Sequence, residues 1–330
     1  MRAWSAPWKF SIYIFVLLLT SLATQHVLAA TCNASAGTTP AIFDYGSAAS
    51  QNVPAGGLSP NASAASGSFS VSCSVTLTIG LLSTTSWIRY TAQNALTLSN
   101  GTDTIPYTIA SNSSYTPSIT ASGGSVGGPT GFALLSLGIL TAGHTDVPLY
   151  VKTLSTTIWP SAGTYTGTQI LAVDGSICTG LGLPGVCAGS TPITSNVTFT
   201  MKLVVSKSCE FVSTPTSVDF GIVSFLSNAA TNIQLNASLR CTNQEDYLLY
   251  VDNGNNYSSG SRYLKSPAGN QIAYEILKPL TTLPLGILTP LSRFGTGASE
   301  AVAFPLRITT GQTTPIAGVY KDNVRVVIEY

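Results

Sequence analysis

Charged side chains are scarce in this sequence of 330 residues: Asp, Glu, Lys and Arg together make up 8% of it, and the formal net charge is +1. Binding to nucleic acid or to an anionic membrane requires a dense basic patch, because the phosphates that are contacted carry negative charge. Neither half of the chain has such an excess, since residues 206–330 contain nine basic and nine acidic side chains. The sequence therefore predicts no nucleic-acid partner.

Histidine is almost absent, with only His26 and His144 in the chain, and no two cysteines have the C-x-x-C spacing. Zinc sites and Ser-His-Asp or Cys-His sites both depend on these residues. A pair of carboxylates for glycoside hydrolysis stays open as an alternative, although no acidic residue of the first half lies in a recognisable setting. We expect no enzyme, no catalytic residue, no metal and no cofactor.

Long apolar runs are also missing, because no run reaches the roughly 18 residues of a membrane-spanning helix. The chain instead begins with Arg2 and Lys9, continues with an apolar run from Ile12 to Leu19, and then has small residues up to Ala30. This order is typical of a secretory signal peptide, here residues 1–29. A lipid anchor on Cys32 is disfavoured, because Thr31 precedes it where lipidation needs Gly, Ala or Ser. We expect an exported, secreted protein.

All six cysteines lie in the exported part of the chain. Disulfides form and persist in oxidising compartments, which agrees with export. The positions of the cysteines suggest three pairs, Cys32 with Cys73, Cys178 with Cys187, and Cys209 with Cys241.

Helical periodicity is absent over any long stretch. Short alternating segments rich in Val, Ile, Thr and Tyr recur instead, separated by Gly, Ser, Asn and Pro. This pattern predicts an all-β fold built from sandwiches.

Six sequence landmarks occur in the same order in both halves of the chain. In the first half they are Cys32, Phe43-Asp44-Tyr45-Gly46, Cys73, the segments around Tyr107 and Leu149, and Gly163-Thr164-Tyr165-Thr166-Gly167. In the second half they are Cys209, Val218-Asp219-Phe220-Gly221, Cys241, the segments around Tyr274 and Leu306, and Gly318-Val319-Tyr320-Lys321-Asp322. The order indicates a duplication, with one domain at 30–205 and a second at 206–330.

These cysteines, the Asp-Gly element and the final tyrosine-containing strand resemble those of the spore coat protein U-like family, which includes subunits of archaic chaperone-usher pili. The resemblance is close in the second half and looser in the first, which has Gly167 where the family has Asp. It implies immunoglobulin-like sandwiches, and as partners a periplasmic chaperone, an outer-membrane usher and an adjacent pilin subunit.

The two halves are predicted to end differently. The first half returns through an alternating segment, 196–205, that can act as its own last strand, whereas the second half ends on the strand 324–330. An immunoglobulin-like sandwich needs its last strand to cover the groove between the sheets. We therefore expect the second domain to bind a donor strand, through a groove and terminal strand formed by Tyr320, Val324, Val326, Ile328 and Tyr330. Only Ala30 and Thr31 precede Cys32 after cleavage, too few for a donor arm, which predicts a position at the pilus tip on the cell surface.

Two nearly uncharged segments of the first half are predicted to form loops that contact an abiotic or host surface. Their apolar residues are Phe132, Leu134, Leu135, Leu137, Ile139 and Leu140, and Ile177, Leu181, Leu183 and Val186. These residues have an alternative role as a small satellite core. For the whole chain, the alternative is a structural pilus or surface-coat subunit that has no dedicated adhesive site.

Overall fold

The computed structural model describes residues 30–36, 42–60, 67–74, 86–129, 144–183, 186–214, 217–228 and 233–330; for residues 180–183 and 188 it describes the backbone alone. The predicted signal peptide and the predicted loop residues 132–140 lie outside these ranges. Within them the protein is all-β with two short 3-10 helices, Ser50–Asn52 and Leu226–Asn228. No helix in this part of the chain is long and apolar enough to cross a membrane.

Strands β1 to β11 form one hydrogen-bonded unit, called here the first unit. They are β1 (Cys32–Ala36), β2 (Ile42–Ala49), β3 (Gly67–Cys73), β4 (Trp87–Ala92), β5 (Thr97–Ser99), β6 (Thr104–Ala110), β7 (Ser118–Ile119), β8 (Ser125–Gly127), β9 (His144–Thr153), β10 (Gly163–Leu183) and β11 (Val186–Ser206). The main strand order is β1-β3-β9-β6-β5-β10-β11-β2, and β4 pairs with both β10 and β8. Burial alternates along β9, as expected for a strand with one face in a core.

Strands β12 to β20 form the second unit. They are β12 (Cys209–Ser213), β13 (Ile233–Cys241), β14 (Asp246–Val251), β15 (Tyr257–Ser258), β16 (Ser261–Lys265), β17 (Gln271–Ile276), β18 (Leu291–Phe294), β19 (Ser299–Ile308) and β20 (Val326–Glu329). One sheet has the order β12-β13-β19-β17-β16-β15 and the other has the order β18-β14-β20.

Each unit has its own apolar core. The first core includes Phe69, Tyr90, Leu98 and Tyr107, and the second includes Leu249 and Phe304. All three disulfides predicted from the sequence are present: Cys32–Cys73, Cys178–Cys187 and Cys209–Cys241. The first joins β1 to β3 and the third joins β12 to β13, in agreement with the duplication.

Candidate functional site

Each unit has a tyrosine whose hydroxyl donates a hydrogen bond to a backbone carbonyl four residues earlier. Tyr165 donates to the carbonyl oxygen of Ser161 at 2.9 Å, and Tyr320 donates to that of Ile316 at 2.5 Å. This tyrosine corner stands at the start of the sixth strand of immunoglobulin-like sandwiches. The two tyrosines therefore mark equivalent positions in the two units.

The strands that follow the two tyrosines pair with their neighbours in the same register. Counted from the tyrosines, Leu171 on β10 is equivalent to Val326 on β20. Leu171 lies opposite Ala92 of β4, and Val326 lies opposite Val251 of β14. The two units can therefore be compared residue by residue along these strands.

In the first unit, the other side of β10 is covered by β11. Strand β11 pairs with β10 in the antiparallel sense and with β2 in the parallel sense. Its inward side chains are at most 3% exposed: Val197, Phe199, Met201, Leu203 and Val205. The β10 side chains beneath it are at most 1% exposed: Tyr165, Gln169, Leu171 and Val173. The first unit closes its own groove.

In the second unit, β20 pairs with β14 alone, and no strand of the described residues lies along its other side. The residues equivalent to the buried β10 set are only half-buried: Tyr320, Val324, Val326 and Ile328. Tyr330, the last residue predicted for this site, is 58% exposed. Because antiparallel strands direct their N–H and C=O groups alternately to either side, an edge strand presents unpaired groups along its open side.

The opposite wall of the groove shows the same difference between the units. Phe43 and Tyr45 lie on β2 and are 3% and 6% exposed. Their equivalents in the repeated motif, Val218 and Phe220, are half-buried and belong to no strand. Strand β2 has β11 as its partner, and the described part of the second unit offers no partner of this kind. We call the space between β20 and residues 217–226 the open groove.

The turn in this repeated motif is preserved even though the strand is not. The backbone N–H of Gly46 donates to Asp44 Oδ1 at 2.8 Å, and that of Gly221 donates to Asp219 Oδ1 at 2.8 Å. Both glycines have positive φ, 72° and 78°, which an L side chain adopts with strain. The Asp and Gly of this motif therefore stabilise the same turn in both units, whereas only the first unit also forms a strand there.

Asp322 ties the start of the terminal segment to the rest of the second unit. Its carboxylate accepts a hydrogen bond from Tyr274 Oη at 2.7 Å and others from the backbone N–H groups of Asn255 and Asn256. Burial raises the pKa of Tyr274, and the hydrogen bond to Asp322 raises it further. The first unit has Gly167 at this position, where an added Cβ would lie 2.9 Å from a backbone oxygen. The side chain of an Asp would therefore not fit at position 167 without a shift of the backbone.

Large apolar side chains are exposed in residues 217–226 and in the residues that precede β20. In the 217–226 segment they are Ile222 and Phe225, at 105% and 61% exposure. Before the terminal strand they are Ile316 and Val319, at 73% and 66%.

Strands β10 and β11 continue past the other strands of the first unit as a two-stranded ribbon. Pairing between β10 and β4 ends at Ser176, while pairing between β10 and β11 continues to Leu183, with the Cys178–Cys187 disulfide across it. The side chain of Val186 is 63% exposed. The side chains of Leu181 and Leu183 lie outside the described part of the structure.

The prediction that Ile177 contacts a surface is wrong. Its side chain is fully buried and belongs to the core of the first unit. Alternation explains this position, because Ile177 continues the inward-facing series of Leu171 and Val173 on β10. The core therefore extends up to the base of the ribbon.

Three polar side chains on neighbouring strands lie in contact in an arrangement that the sequence did not predict. Ser72 Oγ lies 3.1 Å from His144 Nδ1, and His144 Nε2 lies 3.2 Å from Asp146 Oδ1. Ser72 lies directly opposite His144 on β3 and β9, so strand register produces the contact. The side chains of His144 and Asp146 are 51% and 59% exposed, which leaves them in a solvated setting, unlike that of a buried catalytic triad.

The solved structures that resemble this chain include two complexes of a chaperone with a tip subunit. One is the CsuC-CsuE chaperone-tip adhesion subunit pre-assembly complex from archaic Csu pili of Acinetobacter baumannii, at 17% identity and a TM-score of 0.46, covering 92% of this chain and 100% of that chain. The other is a chaperone-tip adhesin complex of CFA/I fimbriae, at 14% identity and a TM-score of 0.30, covering 92% of this chain and 85% of that chain. Comparison with curated protein sequences returns no significant match.

The sequence profile of the spore coat protein U domain matches this chain twice, at residues 18–171 and at residues 195–327. The two matches together cover more than half of the chain, and each contains one of the two tyrosine corners and one of the two repeated Asp-Xaa-Gly turns. The chain therefore belongs to the spore coat protein U domain family.

Proposed function

We propose that the open groove binds an extended strand from another pilus subunit. The observation that supports this most directly is a difference between two units with the same register. Strand β11 covers β10, whereas no strand of the described residues pairs with the second side of β20. Strand addition to such an edge combines main-chain hydrogen bonds with pockets for alternate side chains. Docking four or five apolar side chains contributes roughly 6 to 15 kcal/mol before the cost of ordering the strand.

An open groove with exposed apolar walls needs a partner before assembly as well as after it. The proposed route is secretion to the periplasm, capture by a periplasmic pilus chaperone, transfer to an outer-membrane usher, and replacement of the chaperone by the adjacent pilin's strand. The disulfides across β1–β3 and β12–β13 suit an oxidising compartment on this route.

The proposed position is the tip of an archaic chaperone-usher pilus, with the first unit outermost. The first unit is closed by its own β11 and so offers no acceptor groove for a further subunit. The ribbon of β10 and β11 extends away from the second unit, because β11 runs from the ribbon down to Ser206 at the junction. In this proposal the ribbon tip, with Val186, Leu181 and Leu183, and the segment 132–140 contact the abiotic or host surface during attachment and biofilm formation.

Strand binding is tested with the full chain carrying a copy of 195–205 fused through a Gly-Ser linker after Tyr330. We expect the fusion to raise the soluble yield and to slow hydrogen exchange at the amides of β20. A matched control carries the same segment with its inward apolar residues replaced by Ser. Equal yield and equal β20 exchange in the fusion, the control and the unfused chain would contradict the proposal.

Adhesion is tested separately by replacing Leu181, Leu183 and Val186 with Thr. We expect attachment to apolar surfaces to fall while fibres are still assembled. Leu288→Thr is the control, because Leu288 is 95% exposed on the second unit. If attachment is unchanged, the chain is better described as a structural pilus or surface-coat subunit without an adhesive site.

A further inference from the structure

The segment between the two units is short and is bonded on both sides. Strand β11 ends at Ser206 and β12 begins at Cys209. Ser208 is 4% exposed, and its N–H donates to Thr242 Oγ1 at 2.8 Å while its own Oγ accepts the N–H of Gln51 at 3.0 Å. Domains joined by a linker move relative to one another unless their contacts prevent it. Here the linker itself makes contacts to both units.

A loop of the first unit, residues 154–162, inserts its Trp159 between two loops of the second unit. The N–H of Trp159 donates to the carbonyl of Gly297 at 2.9 Å, and its own carbonyl accepts the N–H of Asn243 at 3.3 Å. The indole is 3% exposed, and the guanidinium of Arg240 lies 5.5 Å from its ring centroid. Both the backbone and the side chain of Trp159 therefore contact the second unit.

A carboxylate next to this loop joins both units. Asp103 accepts hydrogen bonds from Asn243 Nδ2 at 3.1 and 3.0 Å, and from the backbone N–H of Ser161 at 2.6 Å. The loop is held on its own side as well, because the carbonyl oxygen of Ser161 accepts the hydrogen bond from Tyr165 in the tyrosine corner. Burial by itself would raise the pKa of Asp103, but the hydrogen bonds from Asn243 and Ser161 hold it below its usual value.

The second unit accommodates the loop at a position where only glycine fits. Gly297 has φ of +70°, and an added Cβ would lie 2.4 Å from the carbonyl oxygen of Trp159. Gly311 has φ of +80° and open space around the same added atom. The two glycines have the same backbone requirement, and only Gly297 is also required by the contact between the units.

We propose that the loop 154–162 is a clasp that holds the two units in one fixed orientation, with the Asp103–Asn243 pair and the Trp159–Gly297 contact as its two fastenings. The clasp fixes the orientation of the ribbon of β10 and β11 relative to the open groove. Force that pulls the two units apart is then carried by the contacts of the clasp as well as by the linker. The clasp joins the segment before β10 in the first unit to the turn before β14 in the second unit.

Tryptophan fluorescence of the full exported chain tests the clasp. With Trp87→Phe, Trp159 is the only tryptophan of residues 30–330. We expect weak quenching by acrylamide, a severalfold stronger quenching with Gly297→Ala, and no change with Gly311→Ala, which has the same φ strain without the clash. Small-angle scattering should show a wider range of molecular dimensions for Gly297→Ala alone. Equal quenching and equal scattering for the two glycine variants would overturn the proposal.

A second series keeps the test decisive if Gly297→Ala does not fold. Asn243→Asp places two carboxylates together and should open the clasp, so that quenching of Trp159 increases. Adding Asp103→Asn exchanges donor and acceptor and should return quenching to its starting level, because the amide introduced at position 103 can still accept the N–H of Ser161 through its oxygen. Asn253→Asp, an exposed change of the same charge, is the control. Unaltered quenching in Asn243→Asp, or no recovery in the double variant, would contradict the role of this pair.

Discussion

A single inward side chain of the guest strand should account for much of the affinity of the open groove. In the first unit, Phe199 lies opposite Gln169 of β10 and is 3% exposed. Gln169 is equivalent to Val324 when the two tyrosine corners are superposed. In the fused copy of 195–205, we therefore replace the position copied from Phe199 with Ala and compare it with the position copied from Thr198, which faces solvent.

The expected magnitude follows from the burial of Phe199. Truncating a fully buried Phe to Ala costs about 3 to 5 kcal/mol, whereas an exposed substitution stays within about 0.5 kcal/mol. About 1.4 kcal/mol corresponds to a factor of ten in an equilibrium constant. The Phe-to-Ala change should therefore lower the equilibrium constant for docking of the fused strand in the open groove by about two to three and a half orders of magnitude. The Thr-to-Ala change should leave it within a factor of about three.

Hydrogen exchange at β20 measures this loss directly, because its amides on the open side are protected only when a strand lies there. The Phe-derived variant should exchange about two to three and a half orders of magnitude faster than the parent fusion, up to the rate of the unfused chain, and the Thr-derived variant at about the rate of the parent fusion. Equal protection in both variants would refute the inference that the guest strand docks in the register of β11.

Three further outcomes are expected. Asp322→Asn should destabilise the second unit by about 1 to 3 kcal/mol, because an amide cannot accept all the hydrogen bonds of the carboxylate, while the exposed Asp246→Asn should have little effect in urea unfolding. The pKa of Asp103 is lower in the folded chain than in the unfolded one. Ionised Asp103 therefore contributes its full stabilisation of the folded chain above the usual Asp pKa near 3.9, and this stabilisation is lost as the pH falls through the lower folded value. Acrylamide quenching of Trp159 should therefore rise in strong acid, and Asp103→Asn should remove that pH dependence. Reducing Cys178–Cys187 should raise hydrogen exchange in the ribbon and leave β20 unchanged, as mass spectrometry of the two segments would show.

The all-β class, the duplication and the cysteine pairs could be predicted because they depend on local signals. Alternation along 196–205 predicted the last strand of the first unit, and the repeated order of landmarks predicted two equivalent units. Each of these features is determined by residues close in sequence or by an order that repeats.

Ile177 shows what the sequence could not determine. It lies in a segment dense in Gly, which indicated a surface loop, but the core beneath β10 extends further along the strand than composition suggests. The clasp was missed for a related reason. Trp159, Asp103 and Asn243 are far apart in sequence, and only the packing of the two units brings them together.

Strand β11 is the last segment of the first unit to be synthesised and follows directly on β10. A polypeptide exported from its amino terminus presents every strand of the first unit to the oxidising side before β12 has crossed. The first unit can then complete its fold and its disulfides early, in the way domains form in order during synthesis. In the proposed assembly route, a chaperone therefore has to cover only the second unit, because the first unit already contains the strand β11 that closes it.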